Sequence, residues 1–277
     1  MDTLSGILLS DKHQMERTAQ DVLCNSKKGY KTLNKLLRWT SFTRAGVLKV
    51  LDCALTDNSK ACVAWVDSKG FKVLFPVLLA LAKKQRFSVE EVECQRHLVS
   101  LVQHLFENLT GVYFARLLHK FAEKDCEKTR ALVRLHAHVH TRLDQIKAQG
   151  PEALREQPTL LEQLESGLVL RQQIDMCLAF LLTSGSTALT VGVVSTLRSE
   201  NSSVARVAAS LSQYLAETES DETQEEESKT NATRGTLNRR RIAQNLLTML
   251  QTAATVVVET SEQVNGNEPQ ATTVPEK

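Results

Sequence analysis

Apolar residues recur at helical spacing along most of the chain. The clearest stripe starts after Ser88, which forms a capping box with Glu91, and ends at Gly111. Its apolar members would fill one face of a helix; they are Leu98, Leu101, Val102, Leu105, Phe106 and Leu109. Similar stripes predict helices over 13–24, 30–38, 44–55, 59–66, 71–84, 112–123, 125–149, 159–183, 187–197, 203–217 and 237–258. No strand–helix alternation is present, so the pattern predicts an all-α fold and not an α/β enzyme.

The sequence around Gly29 returns around Gly70, 41 residues later. Residues 26–33 align with residues 67–74, including the Ser-Lys-Gly or Lys-Lys-Gly turn and the apolar positions that follow it. A period near 40 in a helical chain is typical of armadillo or HEAT repeats. Such repeats stack into a solenoid and leave a long concave surface for other chains. We therefore predict an armadillo/HEAT-like α-solenoid that binds proteins.

The last quarter of the chain departs from this pattern. Residues 218–235 are acidic and rich in Ser and Thr, so we predict a disordered linker there, after an armadillo-like repeat domain over 1–217. A C-terminal helix over 236–259 follows, and 260–277 is predicted to be a disordered tail. The apolar side of that helix would comprise Ile242, Leu246, Met249, Ala253 and Val256.

Composition narrows the classes of function. The net charge of +2 is too small to indicate a nucleic-acid surface, and we expect no direct nucleic-acid contact. The six cysteines form no CxxC pair, which favours reduced thiols in a cytosolic or nuclear protein over a zinc or disulfide framework. No run approaches the roughly 18 apolar residues of a membrane span, and the N-terminus lacks the basic region of a signal peptide. We therefore expect no membrane partner.

Four stretches carry a resemblance to a known family; they are residues 29–37 with 45–54, residues 70–76, residues 116–128 running on to 134–136, and residues 164–170. In this order and spacing they resemble the C-terminal half of the catenin-beta-like protein family, and the run RLLHKFAEKDCEK is the most specific piece. The resemblance covers roughly 29–250 and implies a non-enzymatic armadillo-type solenoid in the nucleus. It also implies association with the spliceosome through the nineteen complex and recognition of basic, localisation-type segments of partner proteins.

Members of that family are longer at the N-terminus, so the resemblance implies that this chain lacks their first armadillo repeats. Residues 1–25 would then form an uncapped apolar end of the solenoid. An exposed apolar end favours either self-association or an upstream segment that covers it.

The end of the most periodic helix is the candidate partner-binding surface. Residues 106–111 resemble the end of an armadillo third helix, where Asn108 would hydrogen-bond an extended peptide and Glu107 would attract its basic side chains. His104 lies where import receptors carry a Trp. Alternatively, Asn108 is an ordinary helix C-terminal residue. Trp65 is either an interface anchor or a residue packed between repeats.

Three histidines, His136, His138 and His140, form the motif HAHVH. On a helix, His136 and His140 share a face and could bind a metal, whereas at a strand end the motif would suggest a metal-dependent hydrolase. The flanking apolar spacing is helical, and no acidic third ligand lies at a useful spacing. We therefore predict no metal, cofactor or catalytic site and interpret these histidines as surface or half-buried residues.

Two basic stretches have two interpretations each. The run Arg239, Arg240 and Arg241 is either a nuclear-localisation signal or the solubilising charge of the last helix. A second basic stripe comprises Lys27, Lys28, Lys31, Lys35 and Arg38. It either faces phosphate groups or is a solvated helix face, and the solvated face is favoured because few aromatic residues lie between the basic ones.

Taken together, these patterns and the resemblance predict a non-catalytic nuclear scaffold of the spliceosome. It would bind nineteen-complex proteins and basic localisation-type segments through an armadillo-like surface. The alternative is a generic armadillo or HEAT adaptor without a splicing role. A third alternative is a metal-dependent hydrolase that uses the HAHVH cluster.

Overall fold

The computed structural model describes residues 20–23, 26, 28–39, 43–84, 86–148, 167–222 and 237–252. Within these ranges the chain is helical and contains no strand, which confirms the all-α prediction. The predicted tail over 260–277 and most of the predicted linker lie outside the described residues. Most of the predicted apolar end at 1–25 also lies outside them.

In the described part of the chain, residues 20–23 are helical and ten further helices follow them. They are α1 (Gly29–Trp39), α2 (Arg44–Leu55), α3 (Ser59–Asp67), α4 (Phe71–Ala82), α5 (Val89–Asn108), α6 (Gly111–Ala148), α7 (Leu168–Leu182), α8 (Thr187–Ser199), α9 (Val204–Glu222) and α10 (237–252). Among α1 to α9, each helix makes its main contacts with helices no more than three positions away along the chain. Such neighbour-to-neighbour packing is the architecture of a solenoid.

The repeat around Gly29 and Gly70 corresponds to one structural unit. Helices α3, α4 and α5 form a three-helix unit, and Gly70 lies in the turn between its first two helices. A Cβ atom on Gly70 would lie 2.5 Å from the Trp65 indole, and one on Gly29 would lie 2.6 Å from Cδ1 of Leu23. Both glycines therefore allow a large apolar side chain of the preceding helix to pass close to the backbone.

Helix α6 is divided by a left-handed turn. Lys124, Asp125 and Cys126 have φ values of 53°, 56° and 57°, so residues 111–122 and 127–148 form a first and a second half. The break agrees with the predicted boundary between the helices over 112–123 and 125–149. The left-handed conformation costs roughly 1 kcal/mol or more per non-glycine residue. A hydrogen bond of 3.1 Å from Thr129 Oγ1 to the Phe121 carbonyl spans the turn.

Aromatic side chains connect the units through the core. The ring of Phe121 packs against Phe75 and Phe106 with centroids 5.3 and 5.4 Å apart, and Phe106 stacks on Phe180 at 5.3 Å. These contacts join α4, α5, α6 and α7 into one core. Aromatic pairs of this kind add about 0.5–1.5 kcal/mol each to the burial of their area.

Helix α10 packs only part of its predicted apolar side against the core. Leu246 is buried and Ile242 packs against the same cluster of α7 and α9, whereas Met249 is 50 % exposed. Ala243, Leu247 and Leu250 were not part of the predicted stripe but are buried with them, so packing on α7 and α9 shifts the buried face toward these residues. The predicted members Ala253 and Val256 lie outside the described residues. The predicted linker is also shorter at its start, because α9 continues to Glu222.

Candidate functional site

The C-terminal ends of α2 and α5 lie side by side and gather carboxylates, imidazoles and one arginine. We call this group the third-helix network, because α2 and α5 are the third helices of successive units. It comprises Asp52 from α2, His97, His104 and Glu107 from α5, and Arg239 from the first turn of α10. The capping box of Ser88 with Glu91, predicted from sequence, fixes the start of α5 and with it the phase of its polar residues.

Asp52 and the two histidines form the inner part of the network. Nδ1 of His97 lies 2.8 Å from Oδ2 of Asp52, and Nε2 of His104 lies 3.2 Å from Oδ1. The Nε2 atom of His104 also contacts the hydroxyl oxygens of Thr56 at 3.1 Å and Ser100 at 3.3 Å. Burial alone would raise the pKa of Asp52, but the neighbouring imidazoles lower it to about 2. Burial lowers the pKa of His104, but the carboxylates beside it outweigh this and raise the pKa above its ordinary value.

Glu107 and Arg239 form the outer part of the network. Nε of Arg239 donates to Oε2 of Glu107 at 3.3 Å, and its Nη2 lies 3.8 Å from Oδ1 of Asp57. Oε1 of Glu107 accepts a hydrogen bond of 2.6 Å from Gln103. Burial raises the pKa of Glu107, yet His104 and the charge of Arg239 together lower it. The Glu107 side chain is only 4 % exposed, so this charge is held against a guanidinium in a desolvated position.

The structure buries Trp65 and places Asn108 at the C-terminal end of α5. The Asn108 amide donates to the His104 carbonyl at 2.9 Å, as a helix C-terminal residue does. Trp65 is 0 % exposed, and its Nε1 donates to Oδ1 of Asn34 at 3.0 Å. The indole is thus packed between repeats and offers no surface to a partner. A peptide contact by Asn108 stays a prediction.

The arginine run is part of α10 and is not extended. Arg239 contacts the acidic groups described above, and Arg240 is half-buried. Arg241 is exposed and donates to Oδ1 of Asn238 at 3.3 Å. The use of this run as a localisation signal stays a prediction. Asp52, His97 and Asp57 were not predicted as site residues. The one sequence signal for them was the repeat, which places α2 and α5 in equivalent positions.

The predicted basic stripe lines a cavity on another part of the solenoid. Lys31, Lys35 and Arg38 of α1 surround a cavity of about 620 Å³ together with Lys69 from the α3–α4 turn. Asp67 lines the same cavity, and its carboxylate accepts a hydrogen bond from the Tyr113 hydroxyl at 2.9 Å. Surface lysines around an acidic residue agree with the solvated-face interpretation.

A second group of imidazoles and a carboxylate lies inside the repeat stack. We call His136, His140 and Asp175 the buried histidine cluster. The two histidines occupy the second half of α6, and Asp175 comes from α7. The histidine pair could be seen in the sequence motif, but its acidic partner could not, because Asp175 lies on another helix. His138 belongs to a different face of α6, where its ring lies 5.7 Å from that of Phe87. Burial, with the positive charges around it, lowers the pKa of His140 to about 4.

Known proteins similar to this chain share its repeat region. The family described as catenin-beta-like, Arm-motif containing nuclear, matches residues 13–213. Beta-catenin-like protein 1 from Homo sapiens, like that from Bos taurus, is 36 % identical over 115 residues, which cover 39 % of this chain and 20 % of the relative. The Rattus norvegicus protein is 34 % identical over 112 residues. The chain thus matches about a fifth of the length of these relatives.

The family match contains the whole third-helix network except Arg239, which lies beyond residue 213. It also contains the buried histidine cluster. In the described part of the chain, no helix combines the length and the apolar character that crossing a bilayer requires.

Proposed function

The chain belongs to the catenin-beta-like family of Arm-motif nuclear proteins, and on this basis we propose that it is a non-catalytic nuclear scaffold. Proteins of this architecture act through binding energy, because stacked repeats present an extended surface to other chains. The surface that we assign to partner binding is formed by the third helices α2 and α5, around Glu107 and Asp57.

The observation that supports this proposal is the position of the Arg239 side chain between two carboxylates of this surface. An arginine from a helix 132 residues along the chain contacts Glu107, and its guanidinium also approaches Asp57. The surface of α2 and α5 therefore already accommodates a basic side chain. Arg–carboxylate hydrogen bonds are among the strong ones in proteins, and a basic segment of a partner would use the same carboxylates.

The finer part of the proposal concerns the partners. We propose that they include spliceosomal proteins of the nineteen complex and proteins with basic localisation-type segments. This part is supported by the family resemblance of the repeat region. The alternative is an adaptor of the same architecture that has no splicing role, and the identity of the partners separates the two. The surface itself would be shared by both.

The test of the surface is the binding of a basic localisation-type peptide to the full chain, measured by fluorescence anisotropy. We expect Glu107→Gln to weaken binding about tenfold, because a charge-assisted contact contributes roughly 1.4 kcal/mol or more. Glu93→Gln is the matched control, since Glu93 is an exposed residue of the same helix. Binding should also weaken with salt. Equal affinities for the two variants would contradict the assignment of the surface.

The second arm of the test identifies partners. The tagged chain and its Glu107→Gln variant would be purified from nuclear extract, and the proteins that accompany them identified by mass spectrometry. Enrichment of nineteen-complex proteins with the wild type and their loss with the variant would support the splicing role. Glu107-dependent enrichment of other proteins would favour the adaptor without a splicing role.

A further inference from the structure

The buried histidine cluster has the spacing of a metal site. His136 and His140 are separated by one helical turn, and their ring centroids lie 4.3 Å apart. Asp175 of α7 faces the same space, and one ligand atom from each of the three residues lies within 4.8 Å of the others. Two imidazoles at this spacing on one helix, with a carboxylate from a second helix, form a common ligand set for zinc.

The polar atoms of this cluster lack the hydrogen bonds that buried groups normally make. His136 and Asp175 are both 0 % exposed. None of their four side-chain nitrogen and oxygen atoms has a hydrogen-bond partner, and the same is true of Nε2 of His140. Nε2 of His136 lies 2.8 Å from Oδ1 of Asp175, but the ring N–H does not point at the carboxylate. Each such unpartnered buried group costs about 1–3 kcal/mol.

A cation between these atoms would satisfy them together. Zinc binds imidazole nitrogen and carboxylate oxygen at about 2.0–2.2 Å, which places tetrahedral ligand atoms roughly 3.3 Å apart. The three ligand atoms now lie within 4.8 Å of one another, so side-chain rotations that shorten these distances would bring them to that spacing. Two imidazole ligands favour zinc over calcium and magnesium, which prefer oxygen ligands throughout. A water on the side of half-buried His140 would complete the tetrahedron.

The neighbouring arginine does not replace the cation. Arg171 lies one helical turn before Asp175 on α7, where an i, i+4 ion pair could form. Its Nη2 instead donates to Oε1 of Gln213 on α9 at 2.8 Å. Within the described residues, the His136 ring lies within 4.0 Å of the Asp175 carboxylate, and no lysine or arginine nitrogen lies that close.

We propose that His136, His140 and Asp175 bind one zinc ion, which joins the second half of α6 to α7. The ion would be a structural link between two helices of one unit, distinct from the partner surface on α2 and α5. His136 and Asp175 are 0 % exposed, which leaves little access for a substrate, so a structural role is favoured over hydrolysis. When zinc binds only to the folded state, the free energy of zinc binding adds to the stability of the fold.

The experiment measures zinc bound by the purified full chain after chelation, reloading with ZnSO₄ and gel filtration. We expect about one zinc ion per chain for the wild type and little for Asp175→Asn or His140→Gln. His138→Ala is the matched control, because His138 belongs to the same motif but faces Phe87, and it should retain the ion. Zinc should also raise the Tm of the wild type and of His138→Ala but not that of the other two variants.

Two outcomes would overturn the proposal. One is a wild type that binds less than about a tenth of an equivalent, which would leave a simple buried His–Asp pair. The other is cobalt-loaded protein with the charge-transfer bands of thiolate ligands, which would assign the metal to cysteines. If the variants fail to fold, the wild type alone decides. Zinc titration must then shift or broaden the imidazole C–H signals of His136 and His140 in NMR spectra, and unchanged signals would contradict the site.

Discussion

The third-helix network and the buried histidine cluster contain similar chemical groups but differ in how many of their polar atoms are hydrogen-bonded. Oδ1 of Asp52 and Nδ1 of His104 lack a partner, yet every residue of the network makes at least one side-chain hydrogen bond, and several of these bonds involve hydroxyl or amide groups. In the buried cluster, His136 and Asp175 make none. The network is reached by solvent at Arg239, which is 30 % exposed in its side chain, whereas His136 and Asp175 are 0 % exposed.

This difference separates two uses of a histidine–carboxylate pair. Where each side chain makes at least one hydrogen bond and the group reaches solvent, the charges can attract a basic side chain from outside. Where they are unsatisfied and buried, they either destabilise the fold or coordinate a cation. The same residue types therefore indicate a partner surface in one place and a metal site in the other.

The largest expected effect on stability comes from replacing one histidine–carboxylate pair of each group with two leucines in metal-free protein. We expect His136→Leu with Asp175→Leu to raise the free energy of unfolding by about 1–4 kcal/mol, because buried ionic pairs are often worse than apolar residues of similar volume. The equivalent pair, Asp52→Leu with His97→Leu, should lower it by about 2 kcal/mol, because buried His104 loses its carboxylate. Urea unfolding followed by circular dichroism measures both.

Zinc provides the control for this comparison. Added zinc should stabilise the wild type and leave the leucine pair at 136 and 175 unchanged. If the leucine pair destabilises the metal-free protein as much as the pair at 52 and 97 does, the two clusters are equivalent and the contrast between them fails.

The next effect is a pH dependence that belongs to the network. The pKa of Asp52 is lowered from 3.8 to about 2, so its contribution is fully present above pH 4 and is lost as the pH falls towards 2. This difference corresponds to about 2 kcal/mol in the free energy of unfolding. Asp52→Asn should therefore be less stable than the wild type near neutral pH and close to it at pH 2.

Unfolding curves at several pH values test this, with Asp57→Asn as the control, because Asp57 contacts the same arginine from a more exposed position. If the free energies of unfolding of the wild type and Asp52→Asn differed by the same amount at every pH, the result would contradict a pKa of Asp52 that its neighbouring histidines lower.

The repeat architecture could be predicted from local patterns. The period between Gly29 and Gly70 reflects a close approach between the preceding helix and the turn, which occurs at both glycines. The α5 stripe and its capping box are also local, since helical periodicity and capping involve residues a few positions apart. The prediction that His104 and Glu107 lie near one end of that helix followed from the same periodicity.

Contacts between units could not be predicted in this way. Arg239 and Glu107 are 132 residues apart, and their contact depends on how α10 packs across α7 and α9. Asp175 meets the histidine pair only because α7 lies against the second half of α6. The face of α10 that is buried also depends on its neighbours, so the prediction was wrong for Met249, although it was right for Leu246.

The smallest expected effect concerns the ion pair between Arg239 and Glu107. It tests whether this part of the network is exposed to solvent. Arg239→Gln should lower the free energy of unfolding by about 1 kcal/mol at low salt, because the pair is partly exposed. High salt should reduce the difference, since screening weakens exposed pairs more than buried ones. Arg241→Gln, two residues further along the same helix, is exposed and should change stability by roughly 0.5 kcal/mol at most. A loss that does not respond to salt would place Arg239 and Glu107 with the buried cluster, and the surface on α2 and α5 would then be closed to a partner's basic side chains.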